Sequence, residues 1–572
     1  MKKWRTYLVP AAAGLVYGLV AVLLSRLLIR NLGGVFSFVN LFAKLEDGAH
    51  IVLVLSQLKQ ARLVSPWVAA LLLGLVAGLL FFLLIHRCKR KVRIACWVWI
   101  PLLLPLTLAV VLFTTINDIC PAAFLTDAPQ TPVYQAETYA SEGENWHFGY
   151  GRRQILPDES SDQPLYIAGY NFGVEITEVR DYCEARAVWL DTGEEGVLLI
   201  GIDCVGLDSG TVSKIREQLA DLPGCASVNV YSTHTHAGAD TLGLWGPKAV
   251  DGKNDAYMAA LVQAAAEAGR EAAANPRAGT LYLGQTRTTD MFRDSRTPQI
   301  MDENLYQLRF APEDGGKGLR LYFYGAHAEA LRSANTRLSR DFPGILCDEV
   351  TAVTGDDTMF FPGAIGGLIM TKEFVDASVD GEENLTVTAD KLVTHALTIS
   401  EEKQIPASMA LSRQKCVVPM DNIVFLICKA LGVLDNQAVR VESATGYGVE
   451  TELAVLRLDD LGVALIPGEI FPELVYGVLY GDANPEGKNP EPLMNIAAQY
   501  GITKLLVVGL SNDEIGYIVP PSDYLLNEKM PYLERTMDYK GEDHYEETNS
   551  IGPECAQVMA DTFGAVLQAM EE

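Results

Sequence analysis

The sequence predicts a group of N-terminal transmembrane helices followed by an α/β (α+β) ectodomain with mixed sheets flanked by helices. Three runs, at 7–29, 65–85 and 94–116, are apolar and nearly free of charge. Each has about 20 residues, enough to cross roughly 30 Å of hydrocarbon. From about residue 160 onward, short β-branched or apolar runs alternate with segments of helical period, a pattern typical of mixed α/β domains.

The distribution of basic residues predicts the orientation in the membrane. Lys2, Lys3 and Arg5 precede the first run, and five further basic residues lie between positions 87 and 93. The positive-inside tendency places both segments in the cytoplasm. We therefore expect a multi-pass cell-membrane protein with a three-helix membrane domain at 1–117 and everything beyond it extracytoplasmic. Residues 118–160, rich in Pro, Asp, Glu and Gly, are expected to be a linker leading into a domain at 161–572.

Within that domain, β-branched runs bounded by turn residues predict strands, and alanine-rich or 3.6-periodic runs predict helices. Strands are expected at 184–190, 196–202, 228–231, 279–283, 305–310, 319–324, 359–361, 453–458, 463–466 and 505–510. Helices are expected at 209–219, 255–274, 345–353, 389–402, 422–431, 472–480 and 553–570.

Composition excludes some partners. The formal net charge is −27, from 72 acidic and 45 basic residues, so the basic footprint that nucleic-acid binding requires is missing. Eight of the ten cysteines follow residue 117, but their wide, unpatterned spacing gives no disulfide framework. We therefore assign no disulfide and expect no nucleic-acid partner.

Potential metal ligands follow the ends of several predicted strands. His234 and His236 follow strand 228–231, His327 follows 319–324, Glu469 follows 463–466, and Tyr517 lies beyond 505–510. Nitrogen and oxygen donors of these types suit zinc. The residues alone leave other interpretations open. The two histidines could be packed or surface residues, a lone histidine or glutamate is more often structural, and a lone tyrosine is most often a packed aromatic.

The order of motifs resembles the neutral/alkaline non-lysosomal ceramidase family from roughly residue 165 to 560. The family carries Thr-His-Thr-His-Ser-Gly after a strand, a later histidine at a strand end, and a Pro-Gly-Glu or Pro-Ala-Glu turn. It continues with Gly-Leu-(Ser/Cys)-Asn…Tyr-(Val/Ile) and a closing Tyr-Glu…Gly-Pro motif. The matching segments here are Thr233-His-Thr-His-Ala-Gly238, His327, Ser339-Arg-Asp-Phe-Pro-Gly344, Pro467-Gly-Glu469, Gly509–Ile518 and Tyr545–Pro553.

The resemblance implies a ceramidase-like zinc hydrolase domain at 161–572. Zinc would be held by His234, His327, Glu469 and Tyr517, while His236 would lie beside the metal-bound water and act as a proton carrier, and Tyr545 would line the substrate site. Zinc lowers the pKa of bound water toward about 7. The implied activity is hydrolysis of an amide bond in an N-acyl lipid or related acylated amine by zinc-activated water.

One loop departs from the family pattern. Where the family has Asn-Gly-Ala-Gly-(Asp/Asn)-(Val/Leu)-(Ser/Asn)-Pro, this chain has Pro362–Met370, with Ile369 at the position of a substrate-facing serine. The sequence therefore does not predict ceramide itself as the substrate. Two alternatives stay open: a zinc esterase or envelope amidase acting on another substrate, and a non-catalytic ligand-binding or sensor ectodomain.

Overall fold

The computed structural model describes residues 132–157, 161–247, 251–367, 369–372 and 381–572. Nearly all of them belong to one compact unit, Ala128–Gly246, Asp251–Lys429 and Val433–Glu572. The three predicted membrane runs lie outside the described residues. Within the described part of the chain, no helix combines the length and the apolar character that crossing a membrane requires.

The larger sheet of the described residues has nine strands and mixed direction. Its strands are β2 (Trp146–Gln154), β3 (Glu184–Asp191), β4 (Gly196–Ile202), β5 (Cys225–Ser232), β6 (Arg277–Arg287), β7 (Asn304–Pro312), β8 (Leu319–Tyr324), β9 (Asp357–Pro362) and β10 (Glu402–Ile405). Their spatial order is β9-β8-β7-β6-β2-β3-β4-β5, with β10 also paired to β6. Strands β4 and β5 are parallel, as are β8 and β9, whereas the central strands are antiparallel.

The second sheet of the described residues has six strands. Its strands are β1 (Glu137–Glu142), β11 (Ser408–Met420), β12 (Gln437–Val439), β13 (Tyr447–Leu458), β14 (Leu461–Leu465) and β16 (Lys504–Val508). Their spatial order is β1-β11-β13-β14-β16, with β12 paired to β13. Strands β14 and β16 are parallel, and the other pairs are antiparallel.

The two sheets pack face to face, and helices cover their outer faces. One buried cluster contains side chains from both sheets, among them Leu199, Phe361, Leu456 and Val463. Strands β3 and β4 are buried along their whole length because helices cover the face away from that cluster. The helices are α1 (Ser209–Gln218), α2 (Asp255–Ala274), α3 (Asp341–Thr354), α4 (Gly381–Thr398), α5 (Ile423–Leu431), α6 (Pro472–Tyr476), α7 (Leu493–Gln499) and α8 (Cys555–Glu571). The predicted mixed α/β class is confirmed for this part of the chain.

Part of the segment expected to be a linker is instead part of both sheets. Strands β1 and β2 lie within 118–160, and β2 pairs with β3 and β6 inside the larger sheet. The glycines in β2 explain why its strand pattern is weak. A side chain at Gly149 or Gly151 would collide with backbone carbonyls of α2. Because the helix packs this closely, these positions cannot carry β-branched residues, and the sequence pattern that identifies a strand is missing there.

Several element boundaries also differ from the sequence prediction. Helix α4 spans Gly381–Thr398, so it begins eight residues before the predicted helix 389–402 and ends four residues earlier, before β10 starts at Glu402. Helix α6 ends at Tyr476 rather than 480, because Gly477 adopts φ 68° and its backbone N–H caps the carbonyl of Glu473. Strand β11, the longest in the described residues, was not predicted because polar residues interrupt its apolar alternation.

Candidate metal centre

Two strand ends of the larger sheet bring the three histidines together. Strand β5 ends at Ser232, two residues before His234, and β8 ends at Tyr324, three residues before His327. A parallel bridge between Thr235 and Ala328 ties the two histidine segments side by side. Strand direction and this bridge therefore direct both segments toward one site.

The second sheet supplies the oxygen donors. Glu469 and Tyr517 follow the parallel strands β14 and β16, and they pair with each other as the first residues of β15 (Glu469–Ile470) and β17 (Tyr517–Ile518). A bridge between Tyr231 and Ser511 joins β5 to the segment after β16. The site therefore lies where the strand ends of both sheets meet.

The side chains converge within hydrogen-bonding range. Glu469 Oε2 lies 2.8 Å from His327 Nε2 and 3.4 Å from His234 Nε2. Tyr517 Oη is 3.4 Å from His327 Nε2, and His236 Nε2 is 3.1 Å from His234 Nε2. All five side chains are buried, with His327 fully enclosed. The structure thus brings together every metal ligand predicted from the sequence, together with His236.

The hydrogen bonds of two histidines fix their ring tautomers. His234 Nδ1 lies 2.6 Å from the carbonyl oxygen of Val205, and His327 Nδ1 lies 2.7 Å from that of Ile369. Because a carbonyl only accepts, each Nδ1 donates, and in a neutral ring each Nε2 then carries a lone pair. Both lone pairs face the Glu469 carboxylate. Because the lone pairs and the carboxylate repel one another, a proton or a cation has to lie between them. Backbone carbonyls that orient the far nitrogen are typical partners of metal-binding histidines.

Zinc fits these separations. Zinc bonds of about 2.0–2.2 Å in a tetrahedron place ligand atoms about 3.3–3.6 Å apart. The distances from Glu469 to His234 and from Tyr517 to His327 are both 3.4 Å, whereas the 2.8 Å between Glu469 and His327 would have to open slightly. The donor set, its burial and its spacing therefore suit a zinc ion.

Burial and neighbouring charges shift the pKa values of the groups in this cluster. Burial alone would raise the pKa of Glu469, but His234 and His327 outweigh it and hold that pKa below its ordinary value. Burial, reinforced by His234 and His327, holds the pKa of His236 well below its ordinary value, so this imidazole is neutral near pH 7. Burial and then the Glu469 charge raise the pKa of the Tyr517 phenol. A bound cation would act on Tyr517 in the opposite direction.

The role of His236 is open on geometry alone. The ring nitrogens of His234, His236 and His327 lie within 4.8 Å of one another and could together hold a metal. His236 Nδ1 is buried, has no hydrogen-bond partner among the described residues, and lies 3.9 Å from Glu329 Oε2. Two donor sets are therefore compatible with the structure, one that includes His236 and one that replaces it by Glu469 and Tyr517.

Three residues around His236 were not predicted from the sequence. Glu329 faces its Nδ1, Tyr170 donates a 2.5 Å hydrogen bond to Glu329, and the Tyr170 ring contacts His236 edge-on. Gly169 adopts φ 103°, and a side chain there would overlap the His236 ring. The His327-Ala-Glu329 spacing was a usable signal for Glu329, since alternate residues of an extended segment share a face. Tyr170 and Gly169 come from a distant loop and carry no such signal.

The backbone is strained at the site. His234 has φ 63°, and Leu510 and Asn512, beyond the end of β16, have φ 50° and 64°. Non-glycine residues in this region cost roughly 1–3 kcal/mol each and persist where the surroundings impose them. Asn512 is fixed by hydrogen bonds to the backbone of Val230 in β5. The strain therefore coincides with the junction that carries the donors.

An apolar pocket opens from the metal cluster. It contains about 910 Å³ of empty space, a volume that includes open solvent at its mouth. His234, His236, Glu469 and Tyr517 line one part of it, and Tyr545, 37 % exposed, lines it as well. The apolar walls are formed by Val205, Leu242, Leu244, Trp245, Met420, Phe425, Leu434, Ala438, Val449, Ile515 and Ile551.

The loop that departs from the ceramidase pattern acts through its backbone. The Ile369 carbonyl accepts hydrogen bonds from both the backbone N–H and the Nδ1 of His327. The Ile369 side chain is fully buried in a core cluster and does not line the pocket. Residue 369 therefore positions His327 through its backbone carbonyl, and its side chain makes no direct contact with a ligand in the pocket.

Comparison with solved structures supports the fold. A crystal structure of neutral ceramidase from Pseudomonas aeruginosa matches with a TM-score of 0.56 and 16 % sequence identity, over 75 % of each chain. A ceramidase complexed with C2 matches with a TM-score of 0.55 and 14 % identity, again over 75 % of each chain. No family model and no curated relative matches the sequence. The domain therefore has a mixed α/β fold similar to that of ceramidases, as the sequence motifs implied.

Proposed function

We propose that this protein is a zinc-dependent amide hydrolase, a divergent relative of the neutral ceramidases that acts on an N-acyl lipid or related acylated amine. The observation that carries the proposal is the buried convergence of His234, His327, Glu469 and Tyr517 beside an apolar pocket. The likeness of the fold to neutral ceramidases supports the amide as the bond that is cleaved.

In this proposal His234, His327, Glu469 and Tyr517 hold the zinc. Zinc can expand to five ligands, so these four would leave a position for water; when bound there, zinc would acidify that water and polarise the amide carbonyl. His327 and His234 keep their Nε2 lone pairs directed at the centre because Nδ1 of each donates to a carbonyl. The Glu469 carboxylate supplies the negative charge that stabilises a divalent cation.

His236 is proposed to carry the proton. Its Nε2 faces the metal cluster, 3.1 Å from His234 Nε2, so it can accept a proton from water and later donate it to the departing amine nitrogen. Once His236 is protonated, its Nδ1–H points toward the carboxylate of Glu329, 3.9 Å away. Glu329, oriented by the Tyr170 hydroxyl, would stabilise the imidazolium during that interval. Tyr545 is proposed to contact the substrate at the exposed side of the pocket.

The pocket walls support an acyl chain as part of the substrate. Leu242 and Trp245 on one segment and Phe425 on α5 offer apolar surface next to the metal donors. Burial of apolar surface contributes roughly 25 cal/mol per Å², so a long acyl chain would dominate the binding energy there. The panel of substrates should therefore compare acyl chain lengths as well as amines.

Anchoring in the cell membrane, with the hydrolase domain extracytoplasmic, is part of the same proposal. It is supported by the three apolar runs at 7–29, 65–85 and 94–116 and by the basic residues that flank them. A lipid amide substrate would be supplied by the bilayer to which the domain is tethered. Fusion of a reporter to the C-terminus, scored for protease access in intact cells, tests this orientation.

The first experiment is the metal content of the purified full chain. Plasma mass spectrometry should find close to stoichiometric zinc in the wild type and in His395→Ala, and much less in His234→Ala. His395 is a suitable control because it lies on α4, outside the donor cluster. Folded wild type that binds no zinc when the ion is supplied would refute the zinc hydrolase.

The second experiment identifies the bond that is cleaved. Ceramides, N-acyl amino acids, envelope amides and matched acyl esters should be offered to the zinc-loaded chain, with His236→Ala as the inactive comparison. Hydrolysis of amides that depends on His236 supports the proposal. Hydrolysis confined to the esters would instead support a zinc esterase.

A further inference from the structure

Glu514 lines the pocket beside the metal donors, and the proposed hydrolysis makes no use of it. Its Oε1 accepts a 2.8 Å hydrogen bond from the backbone N–H of Gly516. Its Oε2 is buried and has no hydrogen-bond partner among the described residues. A buried carboxylate oxygen without a donor costs free energy, so it calls for a partner.

The surroundings leave room for the Glu514 side chain. Gly206 lies against the side chain, and a Cβ at that glycine would stand 2.8 Å from Glu514 Cγ and 3.2 Å from Leu242. The Lys429 ammonium, also on the pocket wall, lies 3.9 Å from Asp435. Glu514 is thus a polar group in a pocket whose walls are mainly apolar, the kind of group that sets ligand specificity.

The surroundings of Glu514 decide which kind of partner it can bind. Burial, followed by the charges of Glu469 and Asp513, raises the pKa of Glu514 well above its ordinary value, so a negative charge on this side chain needs a compensating positive charge. A ligand carboxylate would add to this repulsion, and a purely alkyl ligand would leave Oε2 without a donor. A protonated amine supplies both a hydrogen-bond donor and a compensating positive charge.

We propose that Glu514 binds a cationic amino group of the ligand, so that the pocket selects amphiphilic amines or their N-acyl derivatives that carry such a group. The apolar walls would take the alkyl part while Oε2 accepts from the ammonium. This inference rests on the proposed function, because it assigns the amine side of the substrate to the Glu514 end of the same pocket.

Calorimetric titration of the zinc-loaded full chain in lipid nanodiscs tests it with two probes, hexylamine and 1-hexanol. At pH 7 hexylamine is protonated and differs from hexanol mainly in its charge. Wild type should bind hexylamine at least tenfold more tightly. Glu514→Gln should lose that preference while its zinc content and hexanol affinity stay unchanged. The matched control Glu217→Gln, an exposed site on α1, should behave as wild type.

Equal affinity of wild type for the two probes would overturn the inference, and this measurement does not depend on how the variant folds. An unchanged preference in Glu514→Gln, or an equal loss of both affinities, would overturn it as well. Failure of the hydrolase proposal has a different signature. In that case zinc or amide hydrolysis is missing from wild type, whatever the probes show.

Discussion

Alanine in place of Gly169 should lower turnover strongly and leave the zinc in place. Gly169 adopts φ 103°, and a Cβ there would lie 2.5 Å from His236 Nδ1 and 2.6 Å from Cγ. The ring therefore has to move by about 1 Å to reach an ordinary carbon contact. None of the four proposed zinc ligands touches Gly169 in this way, so the displacement falls on the proton carrier.

The expected magnitude follows from that displacement. A misplacement of about 1 Å at a reacting group can cost about 100-fold in rate, so turnover of the preferred amide should fall by roughly that factor. The backbone adds a separate cost, since a non-glycine residue at this φ loses roughly 1–3 kcal/mol of stability. The variant should therefore be less stable as well as slower.

The assay compares zinc content, unfolding in denaturant and amide turnover for Gly169→Ala and Gly224→Ala. Gly224 also has a positive φ, 67°, but a Cβ there would meet nothing within 4 Å. It therefore reproduces the backbone strain without touching His236, and its turnover should be unchanged. If Gly169→Ala lost its zinc, His236 would be a metal ligand. Normal turnover in Gly169→Ala would refute a catalytic role for His236.

Three further outcomes are expected. Glu469→Gln, which keeps the side-chain shape but removes the charge, should lose most of its zinc and its activity; stoichiometric zinc in this variant would contradict its role as a ligand. His236→Ala should keep its zinc and lose about 100-fold or more in turnover, the scale of a lost general acid–base group. Burial, followed by Asp294 and Asp523, raises the pKa of Glu473 to about 8. The folded state then retains a proton that the unfolded chain releases above about pH 4.3, so stability should fall as pH rises toward about 8, by up to ~1.4 kcal/mol per pH unit. Denaturant unfolding at pH 5 and pH 8 should show a smaller difference for Glu473→Gln than for wild type.

The strand ends were the most predictable part of the molecule. Apolar, β-branched strands such as β5, β8, β14 and β16 are strong local signals, and the polar residues that follow them stand out against such runs. The sequence could therefore place His234, His327 and Glu469 at strand ends. It could not show that these ends belong to two different sheets, because strand pairing depends on contacts between distant residues.

The residues that escaped prediction share a physical cause. Glu514 and Tyr170 act only through neighbours that the fold brings to them, and nothing in their local sequence marks that meeting. Strand β2 was not predicted because the glycines that allow α2 to pack closely against it do not form a strand-like sequence pattern. Helix ends such as that of α6 depend on the conformation of a single glycine. Local pattern thus identifies elements, while long-range packing decides which side chains become functional.

The strained backbone at His234 links the site to the stability of the fold. Its φ of 63° costs roughly 1–3 kcal/mol, yet this conformation directs its Nδ1 to the Val205 carbonyl and its Nε2 to Glu469. A cation shared by His234 and Glu469 would connect a strand end of the larger sheet to one of the smaller sheet and would offset that strain. Sequences depart from local preference chiefly where function requires it. The departure here lies at the junction of the two sheets, where the donors converge, which favours a functional metal centre over a packed histidine cluster.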